Sequence, residues 1–462
     1  MAVTGTQEAA SRGRLSLADL LARVRAWRAD DSDTSLAQRT AGTAFLIRVG
    51  SAAILYLSQV LLARWMGSFE FGVYVYVWTW VLLIGVISDF GLGTAAQRFI
   101  PEYIERKAFD LLRGFLSGSR WLASLLATAI AAMGALVIWL AAPSLEQYLI
   151  VPLYLACACV PLFTLGNMLD GIARSYGWIN LAFLPPYILR PLLLLVFFAA
   201  AHMSGFAPDA TTAMVAAVGS TWVSAILQLV LVRRSLAAIV TPGPRAYDLR
   251  AWFGTALPIF MVGSFFLLLT YADVLALQVF RSPEEVAVYY AAAKTLALVA
   301  FVNFSVAAAA AHKFSQYYVS GDRERLAAFV ADSIRWTFWP SLAATALILA
   351  AGLPFLWLFG PGFVQGYPLM FILAIGMISR GAVGPVERLL NMSGQQFSCA
   401  MVYAAAFAVN IVFCLLLIPR YGATGAAIAT TCAVLSESLM LFLVTKRRLG
   451  LHVFIWGGPK AG

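Results

Sequence analysis

Charge is scarce in this chain. Asp, Glu, Lys and Arg make up 12% of its 462 residues, while 61% are hydrophobic. A soluble globular chain carries about 25% charged residues and about 45–50% apolar ones. Both departures call for surface that faces lipid. Histidine is nearly absent, with only His202, His312 and His452. The five cysteines, Cys157, Cys159, Cys399, Cys414 and Cys432, all fall inside apolar runs. Their spacing matches neither a metal site nor a disulfide framework, so they read as small packing residues. No lysine follows a Gly-x-x-x-x-Gly run, which excludes a loop cradling ATP phosphates. No hydrolytic triad, metal site or nucleotide-sugar domain is visible. The longest loops run to about 20 residues, too short for the catalytic-acid loops of a membrane glycosyltransferase or ligase. Neither enzymatic activity nor a cofactor is expected.

What the chain has is a series of apolar runs. A span needs roughly 20 mostly apolar residues. Twelve candidates lie near 41–65, 72–95, 115–142, 149–173, 180–203, 213–233, 253–280, 286–311, 333–358, 366–390, 398–418 and 423–445. Runs of this length satisfy their backbone in lipid only as helices, so an all-α, polytopic membrane protein is predicted. The net charge of +10 comes from basic residues in the short connections, which points to membrane topology and away from nucleic acid. With a cytoplasmic N-terminus, 24 Lys and Arg fall on the cytoplasmic side. Only Arg281 and Arg420 fall on the other. Both termini are therefore expected in the cytoplasm. The polar first forty residues place the first long apolar run too far in for a cleavable signal. Within them, Leu17, Leu20, Leu21, Val24 and Trp27 recur at helical spacing beside Arg14, Arg23, Arg25 and Arg28. That is an amphipathic helix for the inner leaflet or for the protein's own cytoplasmic face. The acidic stretch Asp30-Asp31-Ser32-Asp33 after it reads as a solvated linker.

Sliding the sequence on itself reveals a duplication. An offset of 215 residues places Tyr74 on Tyr289, Arg98-Phe99 on Lys313-Phe314, Tyr103 on Tyr318, Leu111 on Leu326 and Arg120-Trp121 on Arg335-Trp336. A slightly larger offset places Gly177 on Gly394. Each half holds six spans, an even number, so the halves are parallel repeats. The expected organisation is a cytoplasmic segment (1–40), an N-lobe (41–233), a linker (234–252), a C-lobe (253–445) and a cytoplasmic tail (446–462). Two six-helix lobes around a central cavity form an alternating-access plan.

Ionisable residues at membrane depth are costly and are functional candidates. Arg48 starts the first span, Arg190 follows Pro185-Pro186 in the fifth, Lys294 lies in the eighth and Arg380 in the tenth. Four basic groups at depth suit an anionic substrate, because Arg offers a bidentate fork to phosphate. Snorkelling is the alternative for Arg48, and satisfying proline-freed carbonyls the alternative for Arg190. Among the acids, Asp89 reads as a turn cap or a partner of a basic residue. Asp170 reads as an i,i+4 partner of Arg174. Asp273 reads as a partner of Lys294 or a ligand of a coupling cation, and Glu437 carries the same two readings.

Several segments together resemble a known family. Leu62-Ala63-Arg64-Trp65-Met66-Gly67-Ser68-Phe69-Glu70-Phe71-Gly72-Val73-Tyr74 resembles the turn between the first two spans of polysaccharide flippases. Asp89-Phe90-Gly91-Leu92-Gly93-Thr94-Ala95-Ala96-Gln97-Arg98-Phe99-Ile100-Pro101-Glu102 resembles the segment after the second. Ala272-Asp273-Val274-Leu275, Val288-Tyr289-Tyr290-Ala291-Ala292-Ala293 and Tyr421-Gly422-Ala423-Thr424-Gly425-Ala426-Ala427 resemble its second lobe. The resemblance covers roughly 40–448. It implies membership of the multidrug/oligosaccharidyl-lipid/polysaccharide exporter superfamily. It also implies a basic cavity for undecaprenyl-pyrophosphate-linked sugars in the bacterial inner membrane, and Arg48 and Lys294 match the family's basic residues. Related lipid II flippases have fourteen spans, so twelve favour an O-antigen, capsule or exopolysaccharide repeat unit. The implied partners are that lipid-linked oligosaccharide, membrane lipids and polysaccharide polymerase machinery. A multidrug antiporter of the same superfamily is the rival reading, and it would want an acidic cavity.

Overall fold

The computed structural model describes secondary structure for residues 33–456 and side chains of Ile47 and from Gly50 onward. The amphipathic segment around Leu17–Trp27, Asp30-Asp31-Ser32, the side chain of Arg48 and Lys460 lie outside the described residues. By internal contacts the chain divides into Met1–Arg48 and Val49–Gly462. The contacts that follow are internal to the second unit.

Among the described residues the regular structure is helical. The helices are α1 (Asp33–Ile87), α2 (Leu92–Glu105), α3 (Phe109–Ala141), α4 (Gln147–Ser175), α5 (Ile179–Leu184), α6 (Arg190–Met203), α7 (Ala210–Ile239) and α8 (Leu249–Phe280). They continue with α9 (Pro283–Leu296), α10 (Ala300–Val319), α11 (Arg323–Ala350), α12 (Gly352–Phe359), α13 (Tyr367–Val383), α14 (Val386–Met392) and α15 (Gln396–Leu449). Among the described residues nine helical stretches are long and apolar enough to cross a membrane. Two of them contain a non-helical glycine, Gly67 (φ 78°) in α1 and Gly422 (φ 53°) in α15. Positive φ is open to glycine at little cost, so each stretch doubles back there and crosses twice. The pair α11–α12, bent by 61°, adds one more crossing. The total is twelve, as hydropathy predicts. The predicted single run 333–358 is nevertheless two helices that part at Ala351. Pro354 in the first turn of α12 favours a fresh helix start, and hydropathy does not register such a break.

Alternation of the crossings gives the bundle two ends. The hairpin end holds Gly67 and Gly422, and the linker end holds the connection between α7 and α8. In the first lobe α4 packs on α2, α3 and α7, and α6 packs on α7. In the second, α15 packs on α8 and α13, and α11 packs on α10 and α13. The duplication is visible in the backbone, because Gly177 (φ 71°) and Gly394 (φ 76°) close matching loops. It is visible in the core too, where Tyr74 and Tyr289 are both buried, as are Phe99 and Phe314. Tyr103 and Tyr318 diverge, the first buried and the second 41% exposed.

The lobes meet firmly at the hairpin end. Phe71 sets its ring 6.1 Å from Tyr290, 6.2 Å from Phe359 and 6.0 Å from Phe363. Arg64 donates to the carbonyls of Leu358 and Trp357, both at 2.8 Å, at the C-terminal end of α12. That end carries partial negative charge, which favours a cation. Tyr56 and Thr295 share a hydrogen bond of 3.0 Å across the lobes. At the linker end Phe90 stacks on Phe260 at 5.5 Å. The lobes also approach closely at Gly72, where a Cβ would stand 1.8 Å from the carbonyl oxygen of Pro283. Gly72→Val is expected to force α1 and α9 apart at an overpacking cost of about 1–3 kcal/mol, read as a lowered melting temperature in detergent. Gly254→Ala, with nothing within 4 Å, is the control and should unfold at the wild-type temperature.

Candidate functional site

Lys294 lies in the last turn of α9, just before a 3₁₀ turn (Ala297–Val299) interrupts the eighth crossing. Its ammonium sits 4.9 Å from the ring centroid of Tyr271 and 5.1 Å from that of Tyr290. Tyr290 is one turn earlier on the same face, and Tyr271 comes from α8. A cation over a ring face is held by the ring's quadrupole, by about 2 kcal/mol where water is excluded. Asp273 does not pair with Lys294. Its carboxylate accepts from the Tyr289 hydroxyl, from Thr430 Oγ1 at 2.8 Å and from its neighbour's backbone N–H, Val274, at 2.7 Å. Lys294 acts on it only at longer range.

Arg190 opens α6 immediately after a π turn (Pro185–Leu189). Its guanidinium lies 5.0 Å from the Phe163 ring and 5.6 Å from that of Trp78. Gln228 Nε2 reaches the Leu181 carbonyl, which Pro185 frees, at 2.9 Å, and Ser224 Oγ reaches the Pro185 carbonyl, which also accepts from the Arg190 N–H, at 2.7 Å. Among the described residues neither Arg190 nor Lys294 has a carboxylate within ion-pair distance. A run of rings joins them. Trp78 stacks on Tyr74 at 6.2 Å, and Tyr74 lies within electrostatic reach of both Arg190 and Tyr290. Two uncompensated cations, one per lobe, thus flank an aromatic wall, and each stands beside an irregular helical turn. Such turns recur at functional sites and hinges.

Arg380 and Glu437 are brought together at 2.5 Å, with Glu437 2% exposed. Glu387 of α14 and Tyr403 of α15 complete this second polar cluster. Burial holds the Glu387 carboxyl above its ordinary range, opposed by Arg388 beside it. Asp89 caps the turn before α2 by accepting from the Gly91 N–H at 2.7 Å, and Asp170 pairs with Arg174 at 2.5 Å. An apolar hollow of about 680 Å³ around α12, lined by Leu353, Pro354, Phe355, Trp357 and Leu358 among others, includes none of these charged residues.

The ring partners were not singled out from sequence. Tyr290 is legible in retrospect from its i,i+4 relation to Lys294. Trp78 and Phe163 lie 112 and 27 positions from Arg190 and leave no local signal. The Arg380–Glu437 pair predicts strong non-additivity. Arg380→Met alone strands a buried carboxylate and should cost about 3–5 kcal/mol, whereas adding Glu437→Leu should recover most of it. Thermal unfolding of the four proteins would measure this, and additive losses would contradict the pairing.

Among the described residues, twelve crossings in two parallel lobes define a polytopic helical membrane fold. An inward-facing multidrug resistance MATE family transporter of the MOP superfamily superposes with a TM-score of 0.73 at 16% identity, covering 88% of this chain and 98% of the other. The lipid II flippase MurJ in an inward closed conformation superposes with a TM-score of 0.70 at 14% identity, covering 87% of each chain. An uncharacterized membrane protein of Methanocaldococcus jannaschii is 24% identical over 82% of this chain and 78% of its own length. Residues 39–317 match the polysaccharide biosynthesis protein family, and the chain belongs to that family.

Proposed function

We propose that the chain flips undecaprenyl-pyrophosphate-linked oligosaccharide repeat units across the cytoplasmic membrane by alternating access, supplying O-antigen, capsule or exopolysaccharide synthesis. The observation that carries this reading is the placement of Lys294 and Arg190 against aromatic faces with no carboxylate to neutralise them. A half-buried cation without a carboxylate beside it gains when an anion arrives. A pyrophosphate brings that anion, and in water-poor surroundings its attraction to two cations is strong. Arg190 offers a planar fork and Lys294 a point charge. Because they belong to different lobes, one bound headgroup would tie both lobes together, and rocking would carry it from one end of the bundle to the other. Arg48 is proposed as a third contact. Arg380 is compensated by Glu437, so in this reading it contributes less to the headgroup.

Membership of the polysaccharide biosynthesis family supports the sugar-bearing cargo. The linker end is assigned to the cytoplasm on the Lys and Arg distribution. Asp273 is the proposed coupling group by its place on the helix that also supplies Tyr271 to Lys294, and a coupling ion would have to displace donors that now hold its carboxylate. Glu437 and Asp89 serve as pairing and capping groups. A drug-cation antiporter would want free carboxylates at this depth, and here Asp273 and Glu437 are both engaged. Lipid II as cargo is less favoured, because a lipid II flippase is expected to cross fourteen times.

Lys294→Ala is expected to abolish surface polysaccharide while protein level stays normal, and Lys294→Arg to retain part of it. The drug sensitivity of the host should not change. Export at the wild-type level in Lys294→Ala would contradict the assignment.

A further inference from the structure

A second cationic centre lies away from the cavity, where the interlobe linker runs along α3. Ala246 N–H donates to the Asp110 carbonyl at 3.0 Å. A Cβ at Gly114 would stand 1.7 Å from the Ala246 carbonyl oxygen. Arg113 is held there by three partners. It donates to the carbonyls of Thr241 at 2.8 Å and Pro244 at 3.0 Å, and it pairs with Asp110 at 2.7 Å.

Arg120, two turns further along α3, is different. Its Nε donates to the Leu116 carbonyl at 2.6 Å, but its Nη1 is buried with no hydrogen-bond partner. The charges close enough to act on it are those of Arg233, near the end of α7, and Arg245 of the linker. Arg120 therefore holds an unused buried donor on the helix face along which the linker runs, within electrostatic reach of guanidinium groups from two other segments. The duplication supplies an internal comparison. The repeat counterpart Arg335 pairs with Asp332 at 3.6 Å. The same offset of 215 puts Ser117 in the place of that acid, and Ser117 spends its hydroxyl on the Arg113 carbonyl at 3.0 Å. The first lobe lacks the carboxylate that neutralises this position in the second.

We infer that Arg120, Arg233 and Arg245 form a binding site for the phosphate group of an anionic membrane lipid. Like charges converge at a cost that an anion removes. Guanidinium groups match phosphate oxygens in geometry, and a basic recess between spans near the interface suits a lipid headgroup. Arg120 lies five residues into the apolar run that begins at 115, about 8 Å along the helix, close to headgroup depth. Trp121 and Tyr247 beside it are 76% and 55% exposed, as aromatic residues at a membrane interface are. The apolar hollow at α12 has no charged lining and does not compete for this headgroup. The site is independent of what the central cavity carries.

The test is the melting temperature of the full chain in detergent, titrated with phosphatidylglycerol, with phosphatidylcholine and with sodium phosphate. Phosphatidylglycerol should protect the wild type more than phosphatidylcholine does. Arg120→Gln should weaken that protection about tenfold or more in lipid concentration, the loss expected for one charge-assisted contact. Arg245→Gln, on the exposed linker, should weaken it in the same direction without disturbing the helices. Arg335→Gln should leave it unchanged. If sodium phosphate protects as well as the lipid does, and loses that effect in the same two variants, the site stands and its ligand is free phosphate. If neither ligand's protection changes in Arg120→Gln and Arg245→Gln, the proposal is overturned.

Discussion

The constraint that organises this molecule is that hydrocarbon offers no hydrogen bonds. Every backbone group in the twelve crossings must be satisfied from within the protein, and so must every polar side chain. Most are. Thr164 donates to the Gly85 carbonyl, Gln228 covers the Leu181 carbonyl that Pro185 frees, Ser224 donates to the Pro185 carbonyl, and Thr431 donates to Ile372. Asp273 has three donors, and Glu437 has an arginine. Against this background Lys294 and Arg190 stand out, because among the described residues neither has a carboxylate within ion-pair distance; Lys294 has the Tyr271 side chain as its hydrogen-bond partner.

The same constraint explains how the lobes hold together without being welded. At the hairpin end the contacts are aromatic rings around Phe71, the Arg64 link to the end of α12 and the Tyr56–Thr295 hydrogen bond. Around them one buried apolar core draws on both lobes, with Val73 and Tyr74 from the first and Val286 and Tyr289 from the second. The helices that carry the two cations contain a π turn and a 3₁₀ turn next to the charged residue. A change of backbone at either turn would move its cation relative to the aromatic wall.

Much of the fold was legible in the sequence, because apolar runs of about 20 residues have one structural outcome in lipid. The duplication was legible from a fixed offset, and Gly177 and Gly394 bear it out in their shared backbone conformation. The break at Ala351 was not legible, since hydropathy averages over a kink. The charged residues could be named but not paired. Asp170–Arg174 follows from helical spacing, whereas Arg380–Glu437 joins residues 57 apart. From sequence, Glu437 carried both a pairing and a coupling reading, and that distance hid which residue it pairs with. The rings that hold Arg190 were invisible for the same reason, because they come from other helices.

The central claim is that these cations serve the passage of a lipid-linked sugar. The most direct measurement is the leaflet in which lipid-linked oligosaccharide accumulates when the gene is deleted, read with a membrane-impermeant sugar-modifying reagent. The account predicts that intact repeat units pile up on the cytoplasmic side, out of the reagent's reach, and that the wild-type gene restores access. Repeat units that reach the outer leaflet without being polymerised, or a normal level of lipid intermediates, would contradict it.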